Sequence, residues 1–199
     1  MRNFGGPGLA KWAELLTAPR DPKGWPRLLE PPGRQVQLLT WLYDWVETAG
    51  TGGGFFRAMY AEFLEAAAGP LEQPELARLA GDYRELAAVW TALARAAVAA
   101  GGNGPLARAA ALLERRRQLV EEQGAAAAGE LAAVQGELDA LLRDATAQPL
   151  GRGAVSALLA DLRERVLDLA GAEEAAAVAL RAAVADFPGD PAGPAKEQR

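Results

Sequence analysis

Seven residues between positions 76 and 97 constrain this chain more than any others. Leu76, Leu79, Tyr83, Leu86, Trp90, Leu93 and Ala97 recur at intervals of 3, 4, 3, 4, 3 and 4. That rhythm gathers all of them on one stripe of an α-helix, whereas strand side chains change face at every residue. Pro74 stands where the first helical residue belongs and Glu75 suits the positive end of the helix dipole. Gly101-Gly102 ends the run near Ala100, so the spacing predicts a long helix able to act as the spine of a bundle.

No window of useful length alternates apolar and polar residues as a half-buried strand requires, and helical periods recur elsewhere. Pro7 opens a short helix with Leu9, Trp12, Ala13 and Leu16 on one face. Pro19, Pro22 and Pro26 predict an irregular stretch over 18–32, anchored by Trp25, Leu28 and Leu29. A helix from about Arg34 to Thr48 carries Val36, Leu38, Leu39, Trp41, Leu42, Tyr43, Trp45 and Val46 around most of its circumference, which predicts a central position. The next, about Gly54 to Ala68, presents Phe56, Met59, Tyr60, Phe63 and Leu64 at helical spacing and stops at Gly69-Pro70.

Aromatics vanish over 105–147, where Pro105 can start a helical hairpin with a weak point around Gly124 to Gly129. Gly124, Gly129 and Gly136 weaken that reading, each by about 1 kcal/mol relative to alanine in a helix interior. Val155, Leu158, Leu159, Leu162, Val166 and Leu169 mark a further helix ended by Gly171, and Glu173-Glu174 suit the start of a last one reaching Phe187. The expectation is an all-α multi-helix bundle without a sheet. One domain spans 1–187, with 105–147 as an appended hairpin, 153–187 as closing helices and 188–199 as a disordered tail.

The residue inventory excludes several chemistries. There is no cysteine and no histidine among the 199 residues, so thiol nucleophiles, thiolate metal sites and imidazole bases are impossible. The expectation is a chain that is not itself an enzyme and takes no cofactor or metal. A net charge of −5 without a basic stripe argues against nucleic acid. No apolar run reaches the length of a membrane span or a signal-peptide core, which makes the cytoplasm the default location.

The stretch "ETAGTGGGFFRAMYAEFLEAAAG", residues 47–69, holds the main candidate motif. A phosphate-binding loop would use backbone N–H groups at a helix N-terminus, which glycine leaves open to an anion. The Walker pattern then needs Lys followed by Ser or Thr, where Phe55 and Phe56 stand here, and a dinucleotide fingerprint needs a preceding strand. The favoured reading is an elbow. Glycine supplies positive φ at the end of one helix, and a missing Cβ lets the next pack close. A loop capping a ligand or a partner's active site, with Arg57 and Tyr60 as its polar reach, is the alternative. Arg57 lies in the first turn of a helix, where a cation opposes the dipole, so it should have a specific acceptor: Glu47 or a carbonyl of the glycine loop.

The same stretch resembles the signature of the C-terminal helical domain of butirosin-biosynthesis-protein-H-like (BtrH-like) proteins. Glu47, Gly50, Thr51, Gly52, Gly53, Phe56, Arg57, Tyr60, Phe63, Leu64 and Glu65 fit its pattern, and "NFGGPGLAKWAELL" and "LAGDYRELAAVWTALA" fit the same domain, so the likeness covers residues 3–100. It is weak over 153–187, and 105–150 looks like an added hairpin. The resemblance implies an association with acyltransferases that move an amino-acyl group from a carrier protein to an aminoglycoside amine. Their chemistry is attributed to a papain-like N-terminal domain with a Cys/His pair, and no residue here can take those roles.

Remaining constellations read as structural. Glu62 and Glu65 belong to a solvated face, and Arg115–Arg117 beside Glu114, Glu121 and Glu122 to a salt-laced one. Trp41, Trp45 and Trp90 could form an aromatic box, but their helical spacing favours the core. The leading expectation is a non-catalytic accessory domain packing against a separate papain-like acyltransferase domain, its candidate contacts being Glu47, Gly50, Thr51, Gly52, Gly53, Gly54, Phe56, Arg57 and Tyr60. The alternative is a small-molecule binder, with a pocket among Trp41, Tyr43, Phe56 and Tyr60, or a homo-oligomeric scaffold.

Overall fold

The structure, a computed structural model, describes residues 5–47, 53–100, 102, 104–144 and 150–185, apart from the side chain of Pro32. Among them there is no strand. The elements are α1 (Gly6–Leu16), a single helical turn α2 (Trp25–Leu28), α3 (Pro32–Glu47), α4 (Gly54–Ala68), α5 (Pro74–Ala99), α6 (Pro105–Gln123), a 3-10 turn (Gly124–Ala127), α7 (Ala128–Asp144) and α8 (Arg152–Val184). Pro7, Pro74 and Pro105 all stand at the first turn of a helix, where the missing N–H has no intrahelical partner to lose.

The heptad-like stripe of α5 is the spine. Leu76, Leu79, Leu86, Leu93 and Ala97 are buried, and the helix packs on α3, α4, α6 and α8. Its N-terminal half joins Ala61 and Leu64 of α4 in a small cluster that Ala179, Leu180 and Ala183 of α8 close. Its C-terminal half enters the main cluster with Leu16 of α1, Leu39 of α3, Leu113 of α6, Leu138 of α7 and Leu162 of α8. The hairpin α6–α7 is thus seated in the main core, on α3 and α5. Gly124, at φ +54, ends α6 and lets the chain turn into α7.

Three expectations are corrected. The stretch 18–32 is not irregular throughout, because Trp25–Leu28 forms α2, whose first turn tolerates Pro26, and α3 already begins at Pro32. Gly171 does not end a helix, because α8 runs 33 residues through it. A glycine weakens a helix by about 1 kcal/mol without bending it, and the burial of Leu169 and Ala176 on either side outweighs that. Nor is α3 central all round. Val36, Leu39, Tyr43 and Val46 are buried, while Trp41 is 48% and Trp45 61% exposed. Wrapping apolar residues round a helix predicts burial only if partners exist on every side, and among the described residues the main packing partners of α3 are α4, α5, α6 and α7. The predicted tail at 188–199, and the end of the last helix at Phe187, lie outside the described residues.

Gln35, which sequence reasoning passed over, pins the loops to the bundle. Its buried amide Nε2 donates to the Leu29 carbonyl at 3.0 Å and its Oε1 accepts from the Leu150 N–H at 2.8 Å. One side chain therefore satisfies backbone groups at the entrance to α3 and near the entrance to α8.

Candidate functional site

The elbow between α3 and α4 is built on sterics. Gly50, Thr51 and Gly52 lie outside the described residues, and so does the positive φ expected at the end of α3; Gly53, the residue before α4, has an ordinary φ of −81°. What Gly53 and Gly54 provide is the absence of a side chain. A Cβ on Gly53 would stand 2.6 Å from Val46 Cα and 2.7 Å from the Val46 carbonyl oxygen. One on Gly54 would meet Glu47 Oε1 at 2.8 Å, Thr91 Oγ1 at 2.9 Å and the Ala87 carbonyl at 3.1 Å. The first turn of α4 thus sits against the last turn of α3 and the middle of α5. Beyond the elbow α4 follows α5 far more closely than α3.

Glu47 turns inward at this junction. Its carboxylate accepts a hydrogen bond from the Thr91 hydroxyl, 2.9 Å to Oε1. Burial raises its pKa above the ordinary carboxylate value, against the opposing pull of Thr91, Arg95 and Arg117. Asp44, one turn earlier, is pushed the same way by burial while Arg116 of α6 pairs with it. One arginine of the 115–117 run therefore reaches back to α3. Arg115 and Arg117 form the expected salt-laced surface with Glu130, Glu114 and Glu121.

Arg57 does not clamp Glu47. Its guanidinium meets Glu173 Oε1 of α8 at 2.7 Å and lies over the Trp90 ring, 5.5 Å from the centroid. Trp90 Nε1 donates to that same Glu173 oxygen at 2.6 Å. The acceptor Arg57 needs thus comes from a helix remote in sequence, 83 residues beyond Trp90. No spacing rule links α4 to α8, which is why Glu47 looked the nearer partner.

Arg57 and Glu173 form a wall between two apolar cavities. The first, about 560 Å³, is lined by all five tryptophans of the chain: Trp12, Trp25, Trp41, Trp45 and Trp90. Leu9, Leu38, Leu42, Val46 and Gly53 complete most of its surface. Trp12 and Trp25 pack at a tilt with ring centroids 6.1 Å apart. The expectation that Trp41 and Trp45 are core is corrected, since both are exposed and face this cleft, while Trp90 lines the cleft but is also partly buried against the main core. Tyr43, expected in a pocket with Trp41, is buried in the core instead.

The second cavity, about 650 Å³, is a shallower trough along the outer side of α4. Phe56, Met59, Tyr60 and Phe63 line it with Tyr83 and Leu180. Tyr60 meets Tyr83 edge-on at 4.8 Å and Phe63 in a stack at 5.8 Å. Burial raises the Tyr83 pKa, and the neighbouring Tyr60 and Glu173 add to the effect. Phe56 and Tyr60 therefore lie across the Arg57–Glu173 wall from the Trp41 cleft, not within it. No group of three carboxylates is gathered as a metal would require among the described residues.

The fold and site define a class: an all-α domain whose aromatic side chains are concentrated around one partly open ion pair. The family follows from the sequence match. The chain belongs to the family described as Domain of unknown function (DUF4872), whose model matches residues 2–128. That stretch includes the elbow, Arg57 and all five tryptophans, while Glu173 lies beyond it. No curated protein and no solved structure matches the chain. No helix among the described residues is long and apolar enough to cross a membrane.

Proposed function

We propose that this chain is a non-catalytic interaction domain that docks a separate papain-like acyltransferase domain of the BtrH-like kind through the outer face of α4. The observation that carries this is the row Phe56, Met59 and Phe63, three large apolar side chains exposed on one helix within the signature stretch. Interfaces concentrate their binding energy in aromatic, methionine and arginine side chains of this sort. Arg57 and Tyr60 beside the row supply polar reach at its edge. The resemblance over residues 3–100 supplies the identity of the partner.

Titration of the purified chain with the papain-like domain of a BtrH-like protein tests this. Saturable binding is expected, weakened at least about tenfold by Phe63→Ala, since truncation of a central aromatic anchor removes roughly 2 kcal/mol or more. Phe63 is 61% exposed, so the variant keeps the fold. No binding overturns the proposal. So does a homodimer in light scattering that Phe63→Ala dissociates, because the face would then be occupied by a second copy. A second reading, a small-molecule binder, is favoured by the tryptophan cleft, which is separate from this face.

A further inference from the structure

We propose that the tryptophan cleft is a binding site for a neutral, flat aromatic small molecule that carries a hydrogen-bond acceptor such as a carboxamide or ketone. This rests on the small-molecule reading above and supplies its site and its ligand class.

Three features select that chemistry. The cleft has the volume of a ligand site, about 560 Å³, and tryptophan rings offer broad apolar faces on which another flat ring stacks. Trp41 and Trp45 keep their rings open to solvent rather than packing them away. Trp12, Trp25 and Trp90, from three further helical segments, meet them around the same space.

Charge decides between ligand types. Arg57 and Glu173 are the charged residues lining the cleft, and they neutralise each other. A cationic ligand would be drawn to tryptophan faces, but Arg57 already covers that of Trp90 and holds Glu173, so a cation would lose its hydration in the cleft without a free counter-charge. An anionic ligand would have to compete with Glu173 for Arg57 and lose its hydration in an apolar cleft.

A neutral acceptor meets neither penalty. The Arg57 guanidinium meets Glu173 through one terminal nitrogen and lies over the Trp90 face. A guanidinium has five N–H donors, so several remain available to a ligand oxygen at the cleft wall. Glu173, whose Oε1 takes both the Arg57 ion pair and the Trp90 hydrogen bond, stands at the same wall as the acceptor for the N–H of a carboxamide.

The test is calorimetric titration at pH 7 with three naphthalene probes of one shape: 1-naphthaleneacetamide, 1-naphthaleneacetate and 1-naphthalenemethylammonium. The acetamide is expected to bind at least about fivefold more tightly than either ion. Trp45→Ala should weaken it at least about tenfold and Phe63→Ala should leave it unchanged, as expected for a ring lost from the binding surface. Should Trp45→Ala lose its helical circular dichroism, Trp41→Ala takes its place. Equal binding of the three probes overturns the ligand class while sparing the small-molecule reading. Absence of binding by all three at millimolar concentration overturns both. Weakening by Phe63→Ala equal to that by Trp45→Ala puts the probe on the α4 face and also overturns the proposal. None of these results bears on docking of the papain-like domain, which is read separately through Phe63.

Discussion

Replacing Gly53 by alanine adds a single methyl group, and the structure says where it goes. The new carbon would lie 2.6 Å from Val46 Cα and 2.7 Å from the Val46 carbonyl oxygen. Carbon atoms pack at about 3.5–4.0 Å, so the shortfall is on the order of 1 Å. Both obstacles are backbone, in the last turn of a helix whose Val46 side chain is itself buried. Relief therefore requires α3 or α4 to move, and α4 is fixed on its other side by the fit of Gly54 against Ala87 and Thr91. Overpacking of this kind costs about 1–3 kcal/mol. Alanine is also a poorer residue than glycine just before a helix, which adds up to about 1 kcal/mol. The expected loss of roughly 1–4 kcal/mol lowers Tm by about 2–16 °C in a domain of this size. Thermal unfolding followed by circular dichroism measures it. Gly171→Ala is the control: it lies in the interior of α8 with open space where the methyl group would go. It should raise stability by about 1 kcal/mol through helix propensity alone. A Gly53→Ala protein melting within about 1 °C of the parent would refute the steric account of the elbow.

Three further outcomes are expected. In a double-mutant cycle on thermal stability, Arg57→Ala and Glu173→Gln should show a coupling of roughly 1 kcal/mol, whereas Arg57→Ala and Glu47→Gln should add independently. Burial raises the Glu47 pKa above its ordinary 4.5, so the folded chain binds that proton more readily than the unfolded chain. The destabilising contribution of Glu47 is complete above the raised value and fades as pH falls through it. Glu47→Gln should therefore compare most favourably with the parent near pH 7, and the advantage should shrink towards pH 4.5 in melts across that range. Thr40 is buried with a hydroxyl that has no hydrogen-bond partner. Thr40→Val removes that polar atom at nearly constant shape and should raise Tm by about 2–4 °C, equivalent to roughly 1 kcal/mol.

What could be read from sequence was whatever one helix determines by itself. The stripe from Leu76 to Ala97 gave α5, proline at the first turn gave three helix starts, and the gap near Gly124 gave the hairpin. Periodicity reports which residues share a face but not whether a neighbour covers it, so Trp41 and Trp45 looked like core. They sit at helical spacing beside Tyr43 and Val46, which are buried. The cleft draws its tryptophans from α1, α2, α3 and α5, and only the packing of those helices brings them together. The one signal available was compositional: every tryptophan lies within residues 12–90, and none in the hairpin or α8. Gly171 misled for a different reason. A glycine ends a helix when the chain must turn there, and both sides of Gly171 are held by buried leucine and alanine side chains.

Gly53, Gly54 and Arg57 have one explanation. Gly53 and Gly54 let the start of α4 settle against Val46 and between Glu47 and Thr91. With that turn lowered, the Arg57 N–H closes the first helical hydrogen bond onto the Gly53 carbonyl at 3.2 Å. Its side chain reaches past α5 to Glu173. A cation there opposes the helix dipole, a penalty of several tenths of a kcal/mol. The ion pair with Glu173 and the Trp90 face offset it, and both lie within reach only while α4 keeps this depth. Side chains on the two glycines would lift the turn and withdraw Arg57 from the wall shared by the two aromatic cavities. The elbow is therefore a device for placing one guanidinium, and the loss of Arg57–Glu173 coupling in a Gly53→Ala background would be its signature.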